Sequence, residues 1–249
     1  MCLLNSALAQ SRLPVGTAEV VNAQESASDQ DEFTRYDYSL TKAVSRRAMR
    51  GSAHERERRR YPKADFNKFP IEVYTLDTSN LPIIVEGELI PDQLLDLPLW
   101  VVNDSYGRDT ITLRESIDME WLILDFWTEW CPPCIPSMMK WESISNKYEN
   151  MVLYGVYSSN MPHRAAIETR KKRWQSVQVI GPSSAILSHV FLGPRGALGP
   201  SVWIKNGRLY GVSNAGSLED SDYDSILRGE MDRLPSHAIY KRSVIKNND

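Results

Sequence analysis

The fold can be predicted from the stretch Trp121-Leu-Ile-Leu-Asp-Phe-Trp-Thr-Glu-Trp-Cys-Pro-Pro-Cys134. Its first half, 121–127, is a near-continuous apolar run, which is typical of a strand covered on both faces in an α/β sheet. From Cys134 to Asn150 the apolar residues recur at helical spacing, and a second apolar run follows at 151–157. The order strand, helix, strand predicts a βαβ unit, in which the two strands are parallel and the crossover is right-handed.

Outside this unit the sequence predicts two β-hairpins and several shorter elements. The first hairpin combines the β-rich runs 99–102 and 110–113, with a turn-rich segment between them. The second combines 201–204 and 208–212, which are joined by Lys-Asn-Gly. Further strands are predicted at 71–76 and 81–85, and further helices at 162–174, 183–191 and 221–233.

Length, charge and cysteine content restrict the class of function. The 249 residues carry a net charge of −3, which argues against a nucleic-acid-binding protein. The three cysteines, Cys2, Cys131 and Cys134, cannot form a framework of several disulfides. A single C-x-x-C pair with four scattered histidines lacks the second ligand pair of a zinc site. We therefore expect neither a metal nor another cofactor.

Composition divides the chain into four segments. They are a signal-peptide remnant (1–9), a disordered or tethering segment (10–65), a domain (66–235, with its core at 87–233) and a polar tail (236–249). The tethering segment contains a basic run from Arg46 to Arg60. This run fits a solvated helix face or linker, or a patch for anionic lipid or nucleic acid. We favour the first interpretation, because no aromatic stacking platform interleaves the charges.

The amino-terminal segment ends in Ala7-Leu-Ala9, the small-residue pattern of a signal-peptidase site. What precedes it is too short for a complete signal peptide, which a start codon assigned too late would explain. The alternative is that Ala-Leu-Ala occurs here by chance. On the first interpretation the mature chain starts near Gln10 and Cys2 has no role. We then expect a periplasmic or otherwise extracytoplasmic protein that can associate with a membrane.

The two motif cysteines have the spacing that disulfide exchange requires. A thiolate is the nucleophile in this chemistry, and a cysteine at a strand-to-helix junction is stabilised as a thiolate by the free N–H groups of the first helical turn. Cys134 lies one turn from Cys131, close enough to attack a mixed disulfide. Pro132 and Pro133 restrict the loop between them and remove backbone donors from it.

Asp125 is the third candidate catalytic residue. An acid within the apolar run 121–127 is expected to be buried, and burial raises the pKa of a carboxyl group. Such a group can accept the proton of the Cys134 thiol. The alternative is an edge position in which Asp125 faces solvent. We favour burial, because the neighbours on both sides are apolar.

The segment Asp125-Phe-Trp-Thr-Glu-Trp-Cys-Pro-Pro-Cys134 resembles the active-site stretch of the thioredoxin superfamily, in particular its TlpA/ResA-like envelope reductases. The resemblance covers about residues 87–233. It implies an α/β, thioredoxin-like fold: a central mixed β-sheet flanked by helices, with an N-terminal β-hairpin extension. It also implies that Cys131 attacks the substrate and that Cys134 resolves the intermediate.

Other residues take roles from the same resemblance. Pro200 matches the family's cis-proline, beside which the Gly199 backbone would pair with an extended substrate. Trp127 and Trp130 match aromatic positions next to the motif. The implied partners are protein clients that carry a disulfide or dithiol, and a membrane thiol relay as electron donor; we expect a monomer.

The sequence also departs from the family pattern. Met139 stands where the family usually has a kinking proline, a proline replaces the ResA-like glutamate between the cysteines, and the approach to Pro200 is rich in glycine. These departures affect substrate choice more than the redox chemistry. We expect a reductase, and keep as alternatives a redox-inactive binding module and a disulfide oxidase or isomerase.

Overall fold

A computed structural model of the protein describes residues 40–194 and 198–242. The helices are α1 (Ser52–Arg60), α2 (Asp92–Leu95), α3 (Cys134–Ser145), α4 (Pro162–Lys172), α5 (Pro182–Leu192) and α6 (Asp220–Leu227). The strands are β1 (Val44–Ala48), β2 (Glu72–Leu76), β3 (Leu99–Val102), β4 (Thr110–Ile111), β5 (Trp121–Trp127), β6 (Met151–Tyr157), β7 (Val177–Ile180), β8 (Ser201–Lys205) and β9 (Arg208–Ser213). Among these helices, none is long and apolar enough to cross a membrane.

A mixed sheet in the order β4-β3-β7-β6-β5-β8-β9 forms the centre of the structure. β5 pairs with β6 in parallel and with β8 antiparallel, and β7 extends the parallel part beyond β6. The βαβ unit β5-α3-β6 is therefore confirmed, as are the hairpins β3-β4 and β8-β9. The predicted α/β architecture is confirmed: a central mixed sheet, flanking helices and the hairpin β3-β4 before the motif.

Two apolar layers cover β5, all seven residues of which are buried. Leu124 and Phe126 belong to one layer, together with residues of α5. Ile123 and Trp127 belong to the other, together with residues of α3 and α6. Because successive side chains of a strand point to opposite faces, Asp125 shares the face of Ile123 and Trp127. The sheet therefore directs the Asp125 carboxyl group toward α3, the helix that begins at Cys134.

Residues 40–65 form a strand and a helix, so the prediction of disorder is wrong over this range, whereas a tethering role stays a prediction. The predicted signal-peptide remnant and residues 10–39 lie outside the described residues. β1 pairs antiparallel with β2 along its whole length, and α1 follows. Four of the five β1 residues are exposed, so the strand lacks the apolar alternation by which a sequence reveals one. Backbone pairing and the Arg46–Glu72 salt bridge (2.7 Å) hold it instead. The preferred interpretation of the basic run, a solvated helix face, agrees with α1, whose arginines are exposed.

Three other segments differ from the sequence-based prediction. Residues 81–85 are not a strand; the N–H of Ile84 bonds the carbonyl of Val190 (3.1 Å) at the end of α5. β7 was not predicted, since it is only four residues long and carries a buried glutamine. The first part of the predicted polar tail packs on the sheet, with Ala238 fully buried. Residues 243–249 lie outside the described residues.

A glycine in β6 makes room for a buried amide beneath the motif. Gly155 lies opposite Gln178 of β7, and a Cβ at Gly155 would lie 2.6 Å from Gln178 Cδ. Gln178 is fully buried; its Oε1 accepts a hydrogen bond from Trp127 Nε1 (2.7 Å) and its Nε2 donates to the Ser176 carbonyl (3.1 Å). The Gln178 amide thereby fixes the Trp127 indole at the end of β5.

Replacing Gly155 by Ala should lower the free energy of unfolding by about 1–3 kcal/mol, because the buried Gln178 amide must leave its hydrogen-bond partners. Urea titration measures this value. In a Gln178→Ala background the same glycine replacement should cost less, since the clashing group is gone. An equal cost in both backgrounds would contradict the proposed clash.

Candidate active site

Cys131 and Cys134 form a disulfide at the junction between β5 and α3. Their Cα atoms are 5.3 Å apart, within the range that a disulfide accepts. Cys134 is the first residue of α3, and its N–H donates to the Cys131 carbonyl (3.1 Å). The Cys131 N–H donates in turn to the Thr128 carbonyl (3.3 Å). A tight hydrogen-bonded turn thus connects the central strand to the helix and holds the two sulfurs in bonding position.

The two cysteines differ in exposure. Cys134 is fully buried, whereas 6% of the Cys131 surface is exposed. The surroundings are apolar and accessible, since Trp130 is 61% exposed and both spacer prolines, Pro132 and Pro133, lie on the surface. An incoming sulfur therefore approaches Cys131 across an apolar rim, and Cys134 stays behind it. This order matches the predicted roles of attacking and resolving cysteine.

Gly199 lies on the opposite side of the disulfide. A Cβ on this residue would lie 3.4 Å from Cys134 Sγ and 3.9 Å from Cys131 Sγ. The Gly199 φ of +101° belongs to the region that favours glycine. Its N–H donates to the Phe126 carbonyl (2.8 Å), and the Phe126 N–H donates to the carbonyl of Pro200 (3.0 Å). The Gly199 N–H is therefore used within the chain and is not available for pairing with an extended substrate.

Asp125 is fully buried, so the alternative in which it faces solvent is wrong. Its Oδ1 accepts hydrogen bonds from Ser137 (2.9 Å) and Ser201 (2.5 Å), and Ser201 Oγ accepts one from Trp141 Nε1 (2.9 Å). Asp125 Oδ2 has no hydrogen-bond partner in the described part of the chain. Burial raises the pKa of Asp125 to about 7, although the serine hydrogen bonds lower it in part. The carboxyl group can thus exchange a proton near neutral pH.

Ser137 and Ser201 are functional candidates that the sequence analysis missed. Ser137 lies one helical turn after Cys134 and therefore on the same face of α3, which brings the Asp125 carboxyl group to the Cys134 side of the motif. Ser201 directly follows Pro200 in the chain. The spacing i, i+3 from Cys134 was a signal that could have identified Ser137; for Ser201 only the pairing of β8 with β5 provides one.

Trp127, which matches an aromatic position of the family next to the motif, is held in place by the residues that surround its ring. Its ring is fully buried and packs against Tyr157 (centroids 4.9 Å apart) and Trp174 (4.8 Å). Edge-to-face contacts of this kind favour one ring orientation. Together with the Gln178 hydrogen bond, they fix the end of β5 from which the motif turn starts.

The buried histidines lie outside the motif turn. His163 is buried on α4 with its Nε2 3.2 Å from Glu57 Oε2, and burial lowers its pKa. Burial also lowers the pKa of His189 on α5. Within residues 40–194 and 198–242, no group of three or more His, Cys, Asp or Glu side chains could hold a metal ion.

No family model matches the sequence, and no curated protein matches it. Similar solved structures include a mutant of PrxQ from Xylella fastidiosa, with 18% identity, a TM-score of 0.46 and coverage of 59% of this chain and 95% of that one. They also include a thiol:disulfide interchange protein from Bacteroides sp., with 16% identity, a TM-score of 0.41 and coverage of 58% and 90%. Both similarities concern the fold.

Replacing Asp125 by Asn should change how stability depends on pH. The carboxyl pKa is about 7 in the folded oxidised protein and about 3.9 in an unfolded chain, so between these values only the folded state holds the proton. This contribution to stability is complete below the unfolded pKa and is lost as the pH rises through the folded pKa. It amounts to about 4 kcal/mol.

We therefore expect the free energy of unfolding of the Asp125→Asn variant, relative to the wild type, to increase between pH 4 and pH 7 and then to level off. Urea titrations of both oxidised proteins at several pH values measure the difference. Asp118→Asn, at an exposed position, is the matched control and should give a profile parallel to the wild type. A difference for Asp125→Asn that does not change with pH would contradict the raised pKa.

Proposed function

We propose that the protein is a thiol–disulfide oxidoreductase that exchanges a dithiol for a disulfide with protein clients through Cys131 and Cys134. The observation that carries this proposal is the disulfide between a slightly exposed cysteine, Cys131, and a fully buried one, Cys134, at the start of a helix. Gly199 lies against this pair on one side. The titratable Asp125 lies beneath it, on the face of the sheet that α3 covers. Each part has a defined task in disulfide exchange, so the arrangement fits turnover better than a purely structural bridge.

The reaction proceeds in two exchange steps. In the reduced protein the Cys131 thiolate attacks a client disulfide; the client S–S bond breaks, and one client sulfur leaves as a thiolate. Cys134 then loses its proton and attacks Cys131 Sγ, which releases the second client sulfur and forms the Cys131–Cys134 disulfide of the structure. The client gains two electrons and two protons. A dithiol donor must return the same number to the protein.

Asp125 supplies the proton acceptor for the second step. Cys134 is fully buried, so its thiol cannot lose a proton directly to solvent. A carboxyl group with a pKa of about 7 is ionised in part of the molecules at neutral pH and can take the proton. Its Oδ2, which has no protein partner within the described residues, is the oxygen left free to do so. General bases of this kind contribute most when their pKa lies near the working pH.

The exposed rim indicates the class of client. Trp130 and Met139 are 61% and 56% exposed, and the two spacer prolines add further apolar surface. Such a surface fits an unfolded or extended protein segment better than a small charged thiol. We further propose that the direction is reduction, as in the TlpA/ResA-like reductases that the motif resembles, with a membrane thiol relay as donor.

We also propose an extracytoplasmic location, on the basis of the Ala7-Leu-Ala9 pattern.

The direction of electron transfer can be measured independently of the location. A reductase should equilibrate with glutathione or dithiothreitol at a potential near that of thioredoxin, about −270 mV, and an oxidase near that of DsbA, about −120 mV. A value at the second limit would favour the oxidase alternative.

Reduced wild-type protein should reduce the disulfides of insulin with dithiothreitol as donor. Cys131→Ser should abolish this activity, and Cys134→Ser should accumulate a mixed disulfide with the client, because the second step is blocked. Non-reducing electrophoresis detects that adduct. Cys2→Ser is the matched control and should retain full activity. Absence of insulin reduction, together with a Cys131 that resists alkylation at pH 6, would refute the enzyme and favour the redox-inactive module.

Asp125→Asn should slow the second step by about 10–100-fold at pH 7 and leave the first step nearly unchanged. Rapid-quench measurement of the mixed disulfide separates the two steps. Ser137→Ala should instead move the pH midpoint of the second step upward, because the Ser137 hydrogen bond lowers the Asp125 pKa. A normal second step in Asp125→Asn would show that another group accepts the proton.

A further inference from the structure

A second carboxylate lies close to the nucleophile in the chain. Glu129 precedes Cys131 by two residues, and its side chain is only 16% exposed. Its Oε1 accepts a hydrogen bond from Arg164 Nη1 (2.5 Å), and its Oε2 accepts one from the Tyr157 hydroxyl (2.6 Å). Both oxygens of Glu129 are thus held by residues of β6 and α4, and the carboxylate has a fixed position beside the motif turn.

The same arginine also holds a carboxylate from outside the motif. Arg164 Nε and Nη2 donate to the two oxygens of Glu57 in α1, at 3.0 and 2.5 Å. Glu57 is 5% exposed and also contacts His163 Nε2. The Tyr61 ring lies 5.4 Å from the guanidinium carbon. One guanidinium group therefore bridges two nearly buried carboxylates, one of which adjoins the active-site turn.

This arrangement matters for the charge near Cys131. A carboxylate close to a thiolate disfavours the thiolate, whereas a cation favours it. Burial alone would raise the pKa of Glu57, but the hydrogen bonds and charges of Arg164 and His163 together outweigh this effect and lower it. Glu57 and Glu129 likewise raise the pKa of Arg164 despite its burial. The network thus contains two anions and one cation, and Arg164 is the cation that faces Glu129.

We propose that Arg164 is a positioning residue for disulfide exchange: it pins the Glu129 carboxylate and offsets part of its charge, so that the Cys131 thiolate forms beside a partly compensated charge. The inference rests on the proposed function and adds a determinant of Cys131 reactivity outside the motif. The charged and titratable groups that face this network are Glu57 and Tyr61 from the α1 side, Glu129 from the motif turn, Tyr157 from β6, and His163 and Arg164 from α4. Asp125 lies beneath the motif on the α3 side.

The test is the pKa of Cys131 in reduced protein, measured from the rate of alkylation by iodoacetamide against pH. Arg164→Gln should raise this pKa by about 0.5–1, because it leaves the Glu129 carboxylate uncompensated. Glu129→Gln removes the negative charge, can keep the Arg164 hydrogen bond on its amide oxygen and can donate from its amide NH2 to the Tyr157 hydroxyl; it should lower the Cys131 pKa by a similar amount. The double variant should return close to the wild type. A merely structural tie would not shift the two single variants in opposite directions.

One further variant separates the charge of Arg164 from its hydrogen-bond geometry. Arg164→Lys retains the charge but loses the fork; it should lower stability while the Cys131 pKa stays near the wild-type value. If Arg164→Gln fails to fold, Glu129→Gln alone carries the test, and an unchanged or raised pKa in that variant overturns the inference. An inactive wild type with unreactive Cys131 refutes the proposed function instead. An active wild type whose pKa is insensitive to both substitutions refutes only the role of Arg164.

Discussion

The burial of β5 is the constraint on which the rest of the structure depends. Its seven residues are hidden between two neighbouring strands and two apolar layers. Such a strand has little freedom to move, because side chains on both faces are packed at the density of a crystal. The motif turn starts where this strand ends, so the Cys131 position follows from the core and not from loop contacts alone. The contacts of Trp127 with Gln178, Tyr157 and Trp174 extend this rigidity to the last residue before the turn.

The burial of β5 also destabilises the ionised form of the Asp125 carboxyl group, and hydrogen bonds offset this effect only in part. Two serine hydroxyls stabilise the carboxylate form, yet one oxygen has no partner within the described residues and the pKa remains about 7. A stronger set of donors would lower the pKa and stabilise the ionised form, but the group would then be a weaker proton acceptor. Stability and the proposed role as proton acceptor are therefore opposed at this residue.

Sequence patterns were sufficient where apolar periodicity determines the structure. β5, α3 and β6 follow from it, and with them the positions of Cys131, Cys134 and Asp125. The segments that were predicted wrongly are those in which apolar periodicity and strand formation do not coincide. β1 is a strand with polar, exposed side chains, β7 is short and carries Gln178, and 81–85 is apolar but does not pair as a strand. Ser137 was accessible from helical spacing, whereas the Arg164 network joins residues more than 30 positions apart through charge, which no local pattern reveals.

The Arg164 network also explains why α1, which precedes the predicted domain, has a fixed position. α1 has only one buried residue, and that residue is Glu57. A helix that buries an acid and no apolar stripe gains little from the hydrophobic effect, so its position depends on the ion pair with Arg164 and on the contacts of Tyr61 and Phe66 with the His163 ring. A nearly buried ion pair is costly to break, because it leaves a charge without a partner. Detachment of α1 would therefore unpair Arg164 from Glu57 and alter the charge that reaches Glu129. On the proposed role of Arg164, α1 is thereby linked to the reactivity of Cys131.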